Sequence, residues 1–151
     1  MTADPLLDVE EQLGLLLRRA RGAADRLARS VHPDLDPDAY PLLVLIEREP
    51  DVRASGLAQH IGIGKGTMSR QLGRLEEMGL IARRADPEDS RGQLIRLTDE
   101  GLRRVEAART ARRGYMRDAL GTWSGDDLTA LARQLGRLND DLEGYKPLRQ
   151  P

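Results

Sequence analysis

The sequence predicts a mostly α fold that carries one small β-hairpin. Three observations predict it. Apolar residues recur at three-four spacing near both ends of the chain, the period of a helix buried along one side. The middle, from Ser55 to Thr98, reads SGLAQHIGIGKGTMSRQLGRLEEMGLIARRADPEDSRGQLIRLT. It holds two short helical patterns around a glycine-bearing turn, then two short apolar runs joined by an acidic loop. Phe is absent and aromatic residues are rare, so Leu, Ile, Val and Ala must fill the core, which suits helices. Helix, turn, helix and hairpin in that order is the layout of a winged helix-turn-helix. The expected class is therefore mostly α (α+β), with N- and C-terminal helices flanking that module.

Each element has a local reason. From about Asp4 to Val31, Leu13, Leu17, Ala20, Ala24, Leu27 and Val31 keep one helical face apolar. Pro33, Asp34, Asp36 and Pro37 break that helix. Asp36 is placed to cap the next one, with Pro37 at its first position. This second helix carries LLVLIERE and stops before Pro50; Pro41 conflicts with it, because proline beyond the first turn removes a backbone hydrogen bond. Val52 to Ala54 reads as a short strand, and Ser55 as the N-cap of a helix ending near Ile61. Gly62 and Gly64 supply the turn, and Lys65 to about Met78 is the following helix, closed by Gly79. Leu80–Ala85 and Gln93–Leu97 alternate as strands around the loop Asp86–Gly92. Thr98 caps a long helix from Asp99 to about Leu120. Ser124 and Asp127 form a capping box for a last helix, striped by Leu128, Leu131, Leu135, Leu138 and Leu142.

Composition narrows the functional classes. A chain of 151 residues supports one domain with a real core. Without cysteine, disulfides, thiolate metal sites and thiol redox sensing are excluded. No apolar run approaches the length of a membrane span, and the acidic start MTADPLLDVEEQ lacks the pattern of a secretory signal. A cytoplasmic protein without membrane attachment is expected. Net charge is −1, so any surface for nucleic acid must come from local clustering of cations.

Several chemical readings fail. GIGKGT resembles a phosphate-binding loop, but Gln59 and Gly66 stand where that motif needs Gly and Ser or Thr. His32 and His60 lack a carboxylate partner at ligand spacing, and His32, at a helix end, is placed to meet the last carbonyls. Glu76 and Glu77 point to adjacent helix faces and cannot act as an acid–base pair. No nucleophile and base can be paired. No enzyme, metal or cofactor is expected. Tyr40, Tyr115 and Trp123 are candidates for lining an effector pocket, set against ordinary packing of aromatics at element boundaries.

One candidate surface survives. Met68, Leu72 and Leu75 form an apolar seam on the helix from Lys65, leaving Lys65, Thr67, Ser69, Arg70 and Arg74 on the other faces. Short hydroxyls and cations beside free backbone N–H groups suit phosphate oxygens and base edges in a major groove. On an isolated helix such residues are simply solvated; the order of elements around them favours the binding role. Arg83, Arg84, Arg91 and Arg96 cluster around the hairpin, with Arg91 close to the turn. An arginine on a protruding hairpin can enter a minor groove, where negative potential concentrates. Asp89 is placed to hydrogen-bond either the Arg91 guanidinium or the loop backbone. The alternative is a solvated hairpin whose ion pairs contribute little.

The segment LAQHIGIGKGTMSRQLGRLEEMGLIARRADPEDSRGQLIRLTDEG resembles the MarR family of bacterial transcriptional regulators. DSRGQLIRLTDEG is the most specific part: Asp, any residue, Arg, a strand, then Leu-Thr and a helix. The resemblance implies a recognition helix at Lys65–Met78 and a wing with Arg91 at its tip. It also implies a homodimer on a near-palindromic operator and loss of DNA affinity when a small molecule binds between the dimer and DNA-binding regions. Gly64 and Gly66 depart from the family, which often has Ser and Pro there. The absent cysteine removes the thiol-oxidation mechanism of one branch.

These readings combine into one expectation. The chain is a sequence-specific, ligand-responsive repressor that binds double-stranded DNA through Lys65, Thr67, Ser69, Arg70, Arg74, Arg84, Asp89 and Arg91. Segments 1–32 and 121–151 carry leucine stripes too long for one compact module to cover, so a second copy is expected to pair through Leu13, Leu17, Leu128, Leu131, Leu135 and Leu138. Residues 33–120 form the winged helix-turn-helix region with its long connecting helix, within a single structural unit. The rival class is a winged-helix protein-interaction module without DNA binding.

Overall fold

The computed structural model describes residues 4–144. The chain divides into two compact units, Met1–Arg112 and Arg113–Pro151. Segment 1–32 groups with the winged-helix region because Ala28 and Val31 are buried in that unit's core. Residues 1–3 and 145–151 of the expected end segments lie outside the described residues.

The first unit begins with helix α1 (Pro5–Val31). Asp4 caps it, Oδ1 accepting from the Leu6 N–H at 3.0 Å. At the far end the His32 backbone N–H reaches Ala28 O, while its Nδ1 accepts the Asp34 N–H at 3.1 Å. The imidazole therefore turns into the loop rather than toward the last carbonyls. Pro37–Ala39 form a single 3-10 turn after Asp36, whose side chain makes no capping bond. Helix α2 (Tyr40–Arg48) follows directly. Pro41 thus sits in the first turn of α2, where its missing N–H breaks no helical bond, and the conflict expected from the sequence disappears.

Strand β1 is two residues, Val52–Arg53, and runs straight into helix α3 (Ala54–Ile61). Arg53 occupies the N-cap position in extended conformation, so Ser55 lies inside the first turn and is not the cap. Gly62, at φ +77°, ends α3, and helix α4 (Lys65–Glu77) begins after Gly64. Gly79, at φ +73°, lets the chain reverse: its N–H bonds Glu76 O and the Leu80 N–H bonds Leu75 O. Strands β2 (Ile81–Ala85) and β3 (Gln93–Leu97) pair antiparallel, Ile81 opposite Leu97. β1 adds to the other edge of β3, Val52 opposite Ile95, giving the order β1-β3-β2. Leu42, Ile46, Leu57 and Leu72 pack together with Ile95 of β3 in one core.

Helix α5 (Asp99–Ala119) is tied to the unit at its start. The Thr98 hydroxyl donates to Gly79 O (2.6 Å) and accepts the Gly101 N–H (3.0 Å), while the Thr98 N–H bonds Leu80 O (3.0 Å). Farther along, Arg104 Nη1 donates to Val31 O at 2.9 Å, and Arg109 pairs with both Glu47 and Glu106. Thr98→Val keeps the shape but leaves Gly79 O and the Gly101 N–H without their partner. It should cost about 1–2 kcal/mol of unfolding free energy, read from the urea midpoint at unchanged slope.

In the second unit Ser124 and Asp127 form the expected capping box ahead of helix α6 (Gly125–Gly144). The Ser124 N–H bonds Asp127 Oδ2 at 3.0 Å and the Asp127 N–H bonds Ser124 Oγ at 3.1 Å. The Ser124 hydroxyl, and then its N–H, hold the Asp127 carboxyl below its ordinary range. Among the described residues, no helix is long and apolar enough to cross a membrane.

Candidate nucleic-acid interface

The two sides of α4 separate cleanly. Met68, Leu72 and Leu75 are buried, at steps of four and three. Lys65, Thr67, Ser69, Arg70 and Arg74 are all exposed. Thr67 Oγ1 accepts from Arg70 Nη2 at 3.4 Å, so these two side chains share the first turn's outer face. Gly64 has no side chain to cap α4, which leaves the first-turn N–H groups open to an outside acceptor.

The wing loop is organised by two aspartates. The Asp89 carboxylate accepts the Arg91 backbone N–H (3.0 Å), and its carbonyl accepts the Gly92 N–H (2.9 Å). Of the two roles considered for Asp89, it takes the loop backbone. Asp86 closes the loop, its N–H bonding Gly92 O at 3.1 Å. Arg91 is exposed and makes no ion pair among the described residues.

The other hairpin arginines are engaged. Arg83 spans Glu76 on α4 (3.1 Å) and Gln93 on β3 (3.3 Å). Arg84 and Arg96 converge on Asp51, at 3.1 Å and 2.7 Å. Hydrogen bonds from Arg96, and then from Arg84, hold the Asp51 carboxyl below its ordinary range against the opposing effect of burial. Arg84, expected among the DNA-contacting residues, is exposed and pairs with Asp51. Asp51 itself sits at φ +62°, a conformation Asp tolerates better than most residues. It was not singled out from the sequence; the signal was the Pro50–Asp51 dipeptide between a helix and a strand.

The remaining candidates lie elsewhere. Tyr40 is buried in the first unit's core and Tyr115 is exposed in the second unit, at 62%. A shallow cleft in the second unit, lined by Trp123, Asp127, Leu131 and Gln134 among others, includes neither tyrosine. Leu17, Leu128, Leu131 and Leu135 are exposed, while Leu13 and Leu138 are half-buried. No group of His, Asp or Glu among the described residues could hold a metal ion.

Comparison with known proteins agrees with this geometry. A sequence model described as "MarR family" matches residues 34–92, the span from the 3-10 turn to the wing. The chain is 31% identical over 105 residues to the uncharacterized HTH-type transcriptional regulator YdgJ of Bacillus subtilis (strain 168), covering 70% of this chain and 64% of that regulator's length. It is 30% identical over 142 residues to the organic hydroperoxide resistance transcriptional regulator of the same organism, covering 90% of this chain and 92% of that protein. The crystal structure of MarR aligns with a TM-score of 0.68 at 25% identity, covering 91% of this chain and 98% of that one. Winged-helix architecture, motif and relatives coincide, and the chain belongs to the MarR family of transcriptional regulators.

Proposed function

We propose that the chain is a homodimeric, sequence-specific DNA-binding repressor that works in the cytoplasm on a near-palindromic operator and releases it when a small molecule binds. The observation that carries this reading is the division of α4: a buried apolar seam behind, and Lys65, Thr67, Ser69, Arg70 and Arg74 exposed in front. α4 enters the major groove, where Ser69 and Arg70 read base edges while Lys65 and Arg74 meet phosphates. Arg91 reaches the adjacent minor groove, held in place by Asp89. Two copies joined through the exposed leucines place their recognition helices on half-sites about 10 base pairs apart.

Selection of duplexes from a random-sequence library tests the reading directly. A recovered near-palindrome bound with steep salt dependence supports it. A protein that dimerises yet shows no salt-sensitive affinity for any duplex is an interaction module instead. On the recovered site, Arg70→Ala should lose about 1–3 kcal/mol at one base position and relax preference there. An unchanged site preference removes Arg70 from the reading role.

A further inference from the structure

Asp86, at the root of the wing, is the buried charged residue of the described core, with 5% exposure. A carboxylate in such a place costs free energy unless its charge is met. Arg53 meets it, with Nε 2.7 Å from Oδ2. This is an ionic contact off the line of a hydrogen bond, so Oδ2 has its charge compensated without a directed donor. Oδ1 accepts the Glu88 N–H at 2.9 Å. Gly92 walls the other side: a Cβ there would lie 3.3 Å from Asp86 Cβ and 3.4 Å from Oδ2. Arg53 also reaches Glu88, farther out on the loop, at 3.3 Å.

The position of Arg53 in the fold gives this contact its meaning. Arg53 lies opposite Leu94 on β3, at the point where β1 becomes α3. Arg53 and Leu94 end the three-stranded part of the sheet; beyond them only the Ala85–Gln93 backbone pair leads into the loop, and a two-stranded ribbon twists readily. Arg53 adds a tie from the helix-turn-helix side across the sheet to the loop's base. The Asp86–Gly92 closure hands that constraint to Asp89, which holds the Arg91 backbone. We infer that Arg53 is a positioning residue: through Asp86 and Glu88 it sets the direction in which the wing presents Arg91 to DNA. This rests on the DNA-binding reading above.

The test is a double-mutant cycle on the full chain. Wild type, Arg53→Met, Arg91→Ala and the double variant are titrated against a duplex that the wild type selects from a random library, at several salt concentrations. Each single variant should weaken binding about tenfold, and the double should be within about twofold of Arg91→Ala alone. Arg53→Met should also flatten any preference for A·T-rich flanks as Arg91→Ala does. Asp86→Asn, which keeps the acceptor for the Glu88 N–H, should show the same non-additivity. Independent losses, with the double about a hundredfold weaker, overturn the inference and make Arg53 a DNA contact in its own right. Wild-type affinity for Arg53→Met overturns it as well. An Arg91→Ala variant that binds as tightly as wild type overturns both the inference and the wing's role in DNA binding.

Discussion

Gly101→Ala is expected to be the most damaging of the glycine-to-alanine changes in the first unit. A Cβ at Gly101 would sit 2.1 Å from the carbonyl oxygen of Leu80 and 3.0 Å from its carbonyl carbon. Both are backbone atoms, so no rotamer change relieves the clash. The start of α5 must withdraw by about an ångström, and overpacking of this kind costs roughly 1–3 kcal/mol. Withdrawal also disturbs the bonds from the Thr98 N–H to Leu80 O and from the Gly101 N–H to Thr98 Oγ1, worth roughly 1 kcal/mol each. A loss of about 3 kcal/mol or more should appear in urea denaturation at fixed protein concentration. Gly114→Ala is the contrast, because a Cβ there meets nothing within 4 Å. It should stabilise α5 by about 0.5–1 kcal/mol. A Gly101→Ala midpoint equal to that of wild type would mean that α5 does not pack on Leu80 in solution as described.

Replacing both Leu131 and Leu135 with aspartate is expected to abolish the proposed dimer. The two leucines are 37% and 40% exposed within a single chain and lie one helical turn apart on the α6 stripe. Neither anchors the core of the first unit, so folding of the winged helix should be untouched. Burying an unpaired carboxylate between copies costs at least about 2 kcal/mol. A homodimer carries four of them, at least about 8 kcal/mol together, which raises the dissociation constant by about 10⁵-fold or more at 1.4 kcal/mol per factor of ten. Sedimentation at micromolar concentration should then give a monomer with wild-type helical content. DNA affinity should collapse with it, because one half-site no longer recruits the second. A double variant that still sediments as a dimer would place the interface off this stripe.

Regular elements were legible in the sequence because their causes are local. The three-four spacing in α1 and α6, the Ser124–Asp127 box and the glycine after α4 each act within a few residues. The family signature Asp89, Arg91 and Leu97–Thr98 fell where the wing and the α5 cap stand. Four local readings missed: Asp36 makes no capping bond, and the His32 imidazole turns into the loop rather than toward the last carbonyls. Ser55 resembled a cap, but β1 runs into α3 without a loop and moves the helix start back to Ala54. Pro41 resembled a breaker until the preceding 3-10 turn placed it in a first turn. Pairings across long sequence separations were not legible. The partner of Arg84 and Arg96 went unnamed because Asp51 lies more than thirty residues earlier in the chain and meets them only through sheet register. Arg53 and Asp86 were passed over for the same reason, and Gly101 because its constraint comes from the backbone of Leu80.

The contacts at Thr98 have a mechanical consequence. One side chain and its backbone join the end of α4, the start of β2 and the first turn of α5 at a single point. With three hydrogen bonds sharing one residue, the angle between α4 and the base of α5 is constrained there as in a bracket. In the proposed dimer, the spacing of the two copies of α4 then depends on how these brackets are held apart, while the outward face of each α4 keeps its own shape.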